Sequence, residues 1–267
     1  MRFSPAKRLD YLDCKTAATN EQFFARVAEE VPTAERRCGL LLLGGSDFRS
    51  LAVRRAQSGI RFDQRVSYWS HAALMLEWTG DAAKARGLEV SYRPESGSEQ
   101  VPERNGVTWF TLSKYLDTAE WPNVAFVSLG QASSASSASK GKGRAVSKLR
   151  DAIEARAIEP NLDRQRYSFL DWLGVWARYA TSAERVPNPL FEGVPEPSAA
   201  FCEYAFEGAG LDLTPGATGP NGCPELLWST SLYWYERISE LGPVHVFAVI
   251  RDESGRPAGP ALSPSLR

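Results

Sequence analysis

Histidine and paired cysteines are scarce in this sequence. Its 267 residues include two histidines, His71 and His245, and four cysteines whose spacing contains no CxxC pair. So few histidines exclude a histidine-rich metal site, and the missing CxxC pair excludes a zinc ribbon or a thioredoxin-type redox motif. Four cysteines in a chain of this length are also too sparse for a disulfide framework. We therefore predict neither a metal nor an organic cofactor, and the two histidines are the candidates for a general base.

The chain also lacks an excess of charge of one sign and any long apolar run. Its 31 Lys and Arg nearly cancel its 32 Asp and Glu, which argues against a nucleic-acid partner. The longest apolar runs, Leu40–Leu43 and Val244–Ile250, are too short to span a bilayer, and the basic N-terminus has no apolar run behind it. We predict no transmembrane segment and a cytoplasmic protein as synthesised, with export by a route without a cleaved signal left open.

The order of the predicted elements favours an α+β fold. Hydrophobic residues make up 43% and charged residues 24%, as in globular proteins. Strands are predicted early and helices late, with one closing strand, which fits α+β better than repeated βαβ units. We predict an N-terminal helical extension over 1–36, a catalytic domain over 37–252 and a disordered tail over 253–267. The low-complexity segment Gln131–Lys142 is predicted to be a mobile loop.

Alternating and helical apolar patterns give the individual elements. The predicted strands are Cys38–Leu43, His71–Trp78, Leu88–Arg93, Val107–Leu112, Val124–Leu129 and Val244–Ile250. The predicted helices begin at Asn20, as its own cap, and at Ser46 or Asp47, and continue with Ala145–Arg156, Ser168–Tyr179, Ala199–Ala209 and Pro224–Ile238.

Cys202 is the first candidate for a nucleophile. It lies near the start of the segment AFCEYAFEGAG, directly after a Pro-Ser loop. A helix that begins there would place the thiol near unpaired backbone N–H groups and the positive end of the helix dipole, which lowers a cysteine pKa and yields the reactive thiolate. The alternative is that Cys202 packs as a small buried hydrophobe. Cys38, inside a predicted buried strand, is a weaker candidate.

His71 is the preferred partner for such a nucleophile. It stands at the entrance to a predicted strand and shares a face with Ala73 and Met75, so its ring can reach beyond the end of the sheet. His245 instead lies inside VHVFAVI, a pattern typical of a core histidine whose hydrogen bonds are satisfied.

A third polar residue is needed to hold the histidine in the right tautomer. A hairpin centred on Ala83 would place Glu95 opposite His71. Because the loop sets the register only to within a residue or two, three further candidates stay open: Ser91, Ser96 and Glu99. Glu95 as a plain surface carboxylate is the competing interpretation.

These segments resemble the circularly permuted NlpC/P60 group of papain-like cysteine hydrolases. The resemblance covers roughly residues 38–215 and rests on CGLLLLGGSDFRS, SHAALML, a carboxylate after the next strand, and FCEYAFEGAGLDLTP. It implies an antiparallel sheet packed against helices, with Cys202 as nucleophile, His71 as base and Glu95 as third residue. The pair Glu203-Tyr204, in place of the group's Ser-Glu, is similar to the lecithin retinol acyltransferase-like branch.

The main functional hypothesis is a cysteine hydrolase that cleaves an amide bond in a peptide or peptidoglycan-like substrate. Such an enzyme would be either a housekeeping amidase or a secreted effector toxin, the latter with a secretion-system or immunity partner. A second hypothesis is a lipid-directed acyltransferase or thioesterase that uses an acyl substrate, which the aromatic run Trp228 to Tyr235 also suits. A third is a non-catalytic binding module on the same scaffold.

Overall fold

The fold is α+β, as predicted, and is built on one antiparallel sheet. The computed structural model describes residues 17–61, 63–91, 107–128, 142–158, 169–180, 198–214, 222–238 and 245–252. Six strands form the sheet in the order β4-β3-β2-β1-β5-β6, and every neighbouring pair is antiparallel. The interior strands β3, β2, β1 and β5 are therefore paired on both sides.

The elements lie where the pattern predicts, except that β3 begins two residues before the predicted Leu88 and α4 begins at Lys142, the predicted last residue of the mobile loop. The strands are β1 Gly39–Gly44, β2 His71–Glu77, β3 Arg86–Val90, β4 Val107–Thr111, β5 Asn123–Ser128 and β6 His245–Ile250. The helices are α1 Asn20–Glu30, α2 Thr33–Arg36, α3 Phe48–Ala56, α4 Lys142–Ile158, α5 Phe169–Ala180, α6 Ala199–Glu207 and α7 Pro224–Ile238. Within the described ranges, no helix is long and apolar enough to cross a membrane.

The sheet has a packed layer on each face, which explains why β1 is an unbroken apolar run. Successive side chains of a strand point to opposite faces. Leu40 and Leu42 accordingly belong to one buried cluster, which includes residues of α4, α6 and α7. Leu41 and Leu43 belong to a second cluster, which includes α1. We call the first cluster the α6 face and the second the α1 face.

Helix α1 anchors the turn that follows β4. Thr19, not the predicted Asn20, is the N-cap, and it forms a capping box with Gln22. Asn20 is instead fully buried, and its side-chain amide donates to the carbonyl oxygens of Tyr115 and Trp121, each at 2.9 Å. These bonds fix the 3-10 turn Leu112–Tyr115, which carries two groups of the site described below.

The predicted division into an extension, a domain and a tail stays a prediction. The tail over 253–267 and residues 131–141 of the proposed mobile loop lie outside the described residues. Phe23, Phe24 and Val27 of α1 are fully buried in the α1-face cluster, so this helix contributes directly to the core of the sheet.

A buried ion pair ties the end of β6 to α3. The side chain of Arg54 is inaccessible to solvent, and its Nη1 lies 3.2 Å from Oδ2 of Asp252, which is only 5% exposed. Arg54 also donates from Nη2 to the Asp252 carbonyl oxygen at 3.1 Å and from Nε to the Ser67 carbonyl oxygen at 2.8 Å. Burial lowers the pKa of Arg54, and the Asp252 carboxylate opposes that effect.

We expect Asp252→Ala to lower the free energy of unfolding by about 3–5 kcal/mol, because it leaves the Arg54 charge buried without its partner. Denaturant unfolding followed by circular dichroism measures this loss. The matched control is Glu30→Ala, which breaks the partly exposed Arg26–Glu30 pair on α1 and should cost only about 0.3–0.5 kcal/mol. Equal losses in the two variants would contradict the structural role of the buried pair.

Candidate active site

His71 and Glu89 form a buried pair on the α1 face of the sheet. His71 is the first residue of β2, and its Nε2 lies 2.7 Å from Oε2 of Glu89 on β3. His71 is 8% exposed and Glu89 is 1% exposed. The imidazole lies beside the rings of Tyr115 and Trp121, with centroid separations of 6.4 and 6.5 Å. Since Nε2 is used by Glu89, Nδ1 is the ring nitrogen left to act on a substrate or nucleophile.

Glu89 is held as a carboxylate by three donors. Besides His71, Lys114 Nζ lies 2.5 Å from Oε1, and the Tyr115 hydroxyl donates to Oε2. Burial by itself raises the pKa of Glu89, but the Lys114 charge and the His71 hydrogen bond outweigh it and hold that pKa well below its ordinary value. The pair therefore has the arrangement in which a carboxylate fixes the tautomer of a catalytic histidine.

Sequence reasoning missed Glu89 because the hairpin between β2 and β3 has a different centre. Symmetry about Ala83 predicts residue 92 opposite Leu74, whereas the structure pairs Leu74 with Leu88. A bulge between Met75 and Glu77 accompanies this shift. Continuing the observed register by one residue sets Glu89 beside Ala73, on the face that also carries His71. A usable signal was the charge itself, since Glu89 interrupts the apolar strand RGLEV and a buried carboxylate needs partners.

The predicted third residue, Glu95, lies outside the described residues, as do two of its alternatives, Ser96 and Glu99. The remaining alternative, Ser91, follows β3 directly and lines the cleft described below.

Ser198 is the second group that sequence reasoning missed. It is the N-cap of α6, it is 7% exposed, and its Oγ accepts a 2.6 Å hydrogen bond from the backbone N–H of Ala72. That bond holds the hydroxyl beside the residue that follows His71. The Ser198 side chain makes no capping bond to α6, so its oxygen is not used to terminate the helix.

The backbone of Ser198 is strained. Its φ is 54° and its ψ is −105°, a conformation that non-glycine residues rarely adopt. Such strain persists only where the surroundings enforce it, and it concentrates at functional sites. The Pro-Ser step before the helix was the available sequence signal, but it does not reveal a positive φ.

An open cleft connects these groups. It encloses about 560 Å³, part of it open to solvent, and both His71 and Ser198 line it. Its other lining residues come from α3, α5 and the loops around them: Asp47, Arg49, Ser50, Val53, Ser70, Ser91, Trp121, Trp172, Val175 and Tyr179.

Cys202 lies apart from this cleft. Helix α6 begins at Ala199, so Cys202 is one turn inside it, fully buried in the α6-face cluster with Ala72 and Leu74. The side chain of His71 belongs to the opposite face of β2, and Cys202 does not line the cleft. Burial raises the pKa of the Cys202 thiol well above its ordinary value, with a smaller contribution from Glu203. The structure therefore does not bring the predicted Cys202–His71 pair together.

Cys38 and His245, the other cysteine and histidine candidates, each have a hydrogen-bond partner away from the cleft. Cys38 is buried, its Sγ donates to the Arg150 carbonyl oxygen at 3.5 Å, and burial raises the pKa of its thiol to about 12. His245 begins β6 and its Nε2 lies 2.8 Å from Oε2 of Glu35, so this histidine has the satisfied hydrogen bond that its pattern predicts.

Across the part of the chain that the structure describes, no three or more His, Cys, Asp or Glu side chains are placed to hold a metal ion. No protein-family model matches the sequence, and no curated protein matches it at a significant level.

Proposed function

We propose that this protein is an acyl hydrolase with Ser198 as nucleophile, His71 as general base and Glu89 as the carboxylate that orients His71. The observation that carries the proposal is the buried His71–Glu89 hydrogen bond. His71 lines the cleft that is also lined by the strained Ser198. A nucleophile, a base and a group that orients the base are the three parts of acyl-transfer catalysis by a side chain.

Ser198 is favoured over Cys202 by position and ionisation. Ser198 lines the cleft, whereas Cys202 is fully buried on the far face of β2. A thiol becomes nucleophilic when its pKa is lowered, and the surroundings of Cys202 raise it. A serine hydroxyl needs no such shift, because an adjacent base removes its proton during the attack.

The reaction proceeds in two steps, acylation of Ser198 and hydrolysis of the acyl-enzyme. His71 Nδ1 takes the Ser198 proton as Oγ forms a bond to the substrate carbonyl carbon, and the carbonyl electron pair moves onto its oxygen. When that pair returns, the bond to the leaving amine or alcohol breaks, and His71 gives the leaving group the proton. Water then repeats the sequence on the acyl-enzyme, releases the acid and restores the Ser198 hydroxyl.

The first turn of α6 supplies charge stabilisation for the oxyanion. The first N–H groups of an α-helix have no intrahelical acceptor, and the helix dipole is positive at that end. Because the Ser198 side chain does not cap them, we assign the N–H groups after it as the donors to the oxyanion.

The chain order supports a relationship to the permuted NlpC/P60 arrangement. The histidine strand β2 and the carboxylate strand β3 precede the nucleophile helix α6, which is the order that the permuted group has. The proposal differs from that group in its serine nucleophile. The substrate class that follows from the relationship is an amide in a peptide or peptidoglycan-like polymer.

A second candidate, an ester or thioester of an apolar acyl chain, is favoured by one wall of the cleft. Trp172, Val175 and Tyr179 recur at helical spacing along α5 and line the cleft, where Val175 and Tyr179 pack with Val53 of α3. Such a wall suits an aliphatic or aromatic acyl group, because it removes apolar surface from water.

The test is a hydrolysis panel with two arms. Nitrophenyl esters of acetate to decanoate form one arm, and peptide amides and peptidoglycan fragments form the other; each is assayed with the intact protein and with His71→Ala. We expect turnover that His71→Ala removes. Efficiency that rises with acyl-chain length selects the second candidate, and turnover of peptide or peptidoglycan bonds selects the first. Turnover equal in both proteins would contradict the proposal.

A further inference from the structure

Lys114 occupies a position that the proposed mechanism does not yet use. It lies in the 3-10 turn Leu112–Tyr115, and its Nζ is 2.5 Å from Oε1 of Glu89, the oxygen that does not contact His71. Its side chain is 40% exposed while the Glu89 side chain is 2% exposed. A cation at the surface therefore reaches inward to a carboxylate that has no contact with bulk water of its own.

The other groups around Glu89 cannot replace that charge. Among the described residues, the titratable groups in contact with its carboxylate are His71 from β2, Lys114, and Tyr115 from the same turn. Tyr115 donates a hydrogen bond but carries no charge at neutral pH, and a catalytic base must be uncharged before it accepts a proton. In the resting enzyme, Lys114 is thus the only cation among these three contacts.

We propose that Lys114 is a positioning residue that keeps the Glu89 carboxylate ionised while His71 is neutral, so that Nε2–H of His71 points to Glu89 and Nδ1 stays available to accept a proton. Tyr115, anchored through the Asn20 amide, fixes the direction of the carboxylate. The inference deepens the proposed function and rests on it for its kinetic readout.

The physical argument concerns proton uptake by the pair. His71 and Glu89 share one hydrogen bond, so proton binding to either side chain depends on the charge of the other. A nearby positive charge disfavours the addition of a proton to the pair, and an unpaired buried carboxylate favours it. Removal of Lys114 should therefore let the pair take up a proton at higher pH, whether the proton binds His71 or Glu89.

The experiment compares Lys114→Met with the intact protein. We expect the acidic limb of the kcat/KM profile to move to higher pH by roughly one unit, the lower end of what an opposite charge produces, since Lys114 is partly exposed. Lys114→Arg should restore the limb. Lys84→Met is the matched control, because Lys84 is 85% exposed and its ion-pair partner is Asp81 and not Glu89. A loss of kcat at all pH values, with an unmoved limb, would show a structural role and overturn the proposal.

A second readout separates this inference from the proposed function. The chain has two histidines, so the ring resonances of His71 can be assigned by comparison with His245→Gln and followed by NMR through a pH titration. We expect the midpoint for His71 to rise in Lys114→Met, whether or not a substrate is found. An unchanged midpoint in a folded variant overturns the role of Lys114 and leaves the Ser198 proposal standing. A shifted midpoint without any turnover supports the role of Lys114 and counts against Ser198 as a catalytic nucleophile.

Discussion

Ser198→Ala is expected to lower kcat/KM by about a thousandfold or more on whichever substrate the panel identifies. The variant removes the only atom that would form the acyl-enzyme bond, and loss of a nucleophile in this kind of triad leaves only binding and oxyanion stabilisation. The fold should persist, because within the described residues the hydroxyl oxygen accepts a single hydrogen bond, from the Ala72 N–H, and does not cap α6. Steady-state kinetics with matched circular dichroism spectra measure both effects.

Cys202→Ala is the control for that result. Cys202 lies one turn further along α6 than the Ser198 cap. The two variants therefore alter the same helix, but only Ser198→Ala alters a residue that lines the cleft. We expect Cys202→Ala to change kcat/KM by less than about threefold and to lower stability modestly, because it leaves a small void in a packed core. Loss of activity in Cys202→Ala with retention in Ser198→Ala would restore the thiol as nucleophile.

Glu89→Gln should be the second most damaging change at the site. We expect kcat to fall by about a hundredfold to ten-thousandfold. A glutamine oxygen replaces only one of the two carboxylate oxygens, and the Lys114 ammonium, which can only donate, holds it at the Oε1 position. The amide nitrogen would then face His71 Nε2, which places the imidazole proton on Nδ1 and removes the lone pair that Ser198 needs. Kinetics at saturating substrate measure the fall.

A comparison with Glu77→Gln controls for charge alone. Glu77 ends β2, has a side chain that is 53% exposed and lies 3.5 Å from Arg86, so its replacement changes the net charge without touching the His71 contact. We expect activity to be unchanged in Glu77→Gln. A fall of similar size in both variants, or none in Glu89→Gln, would show that the His71–Glu89 bond does not orient a base.

The framework of the site followed from the sequence, because it depends on local patterns. The alternating run from His71 predicted β2, with the ring at the strand entrance and on the face of Ala73. The apolar run before Gly44 predicted β1, and the segment after the Pro-Ser step predicted α6 from Ala199. Burial and short-range periodicity decide these features, and both can be read along the chain.

The identity of the remaining groups depended on geometry that no local pattern encodes. Glu89 required the register of a hairpin whose strands meet through a bulge, and that register differs from simple loop symmetry. Ser198 required a positive φ at a helix cap. Cys202 was an attractive nucleophile by residue type, but its place one turn inside α6 turns the thiol into the core of the opposite face. Chemistry-bearing residue types are therefore weaker indicators than cap positions and buried charges in strands.

The most direct test of the account is covalent labelling with a fluorophosphonate, mapped by peptide mass spectrometry. The probe phosphonylates an activated serine Oγ and releases fluoride, so it reports the nucleophile without knowledge of the substrate. The account predicts a single adduct on Ser198 in the intact protein and none there in His71→Ala. No adduct on Ser198 in the intact protein, together with rapid iodoacetamide alkylation of Cys202 near neutral pH, would contradict it.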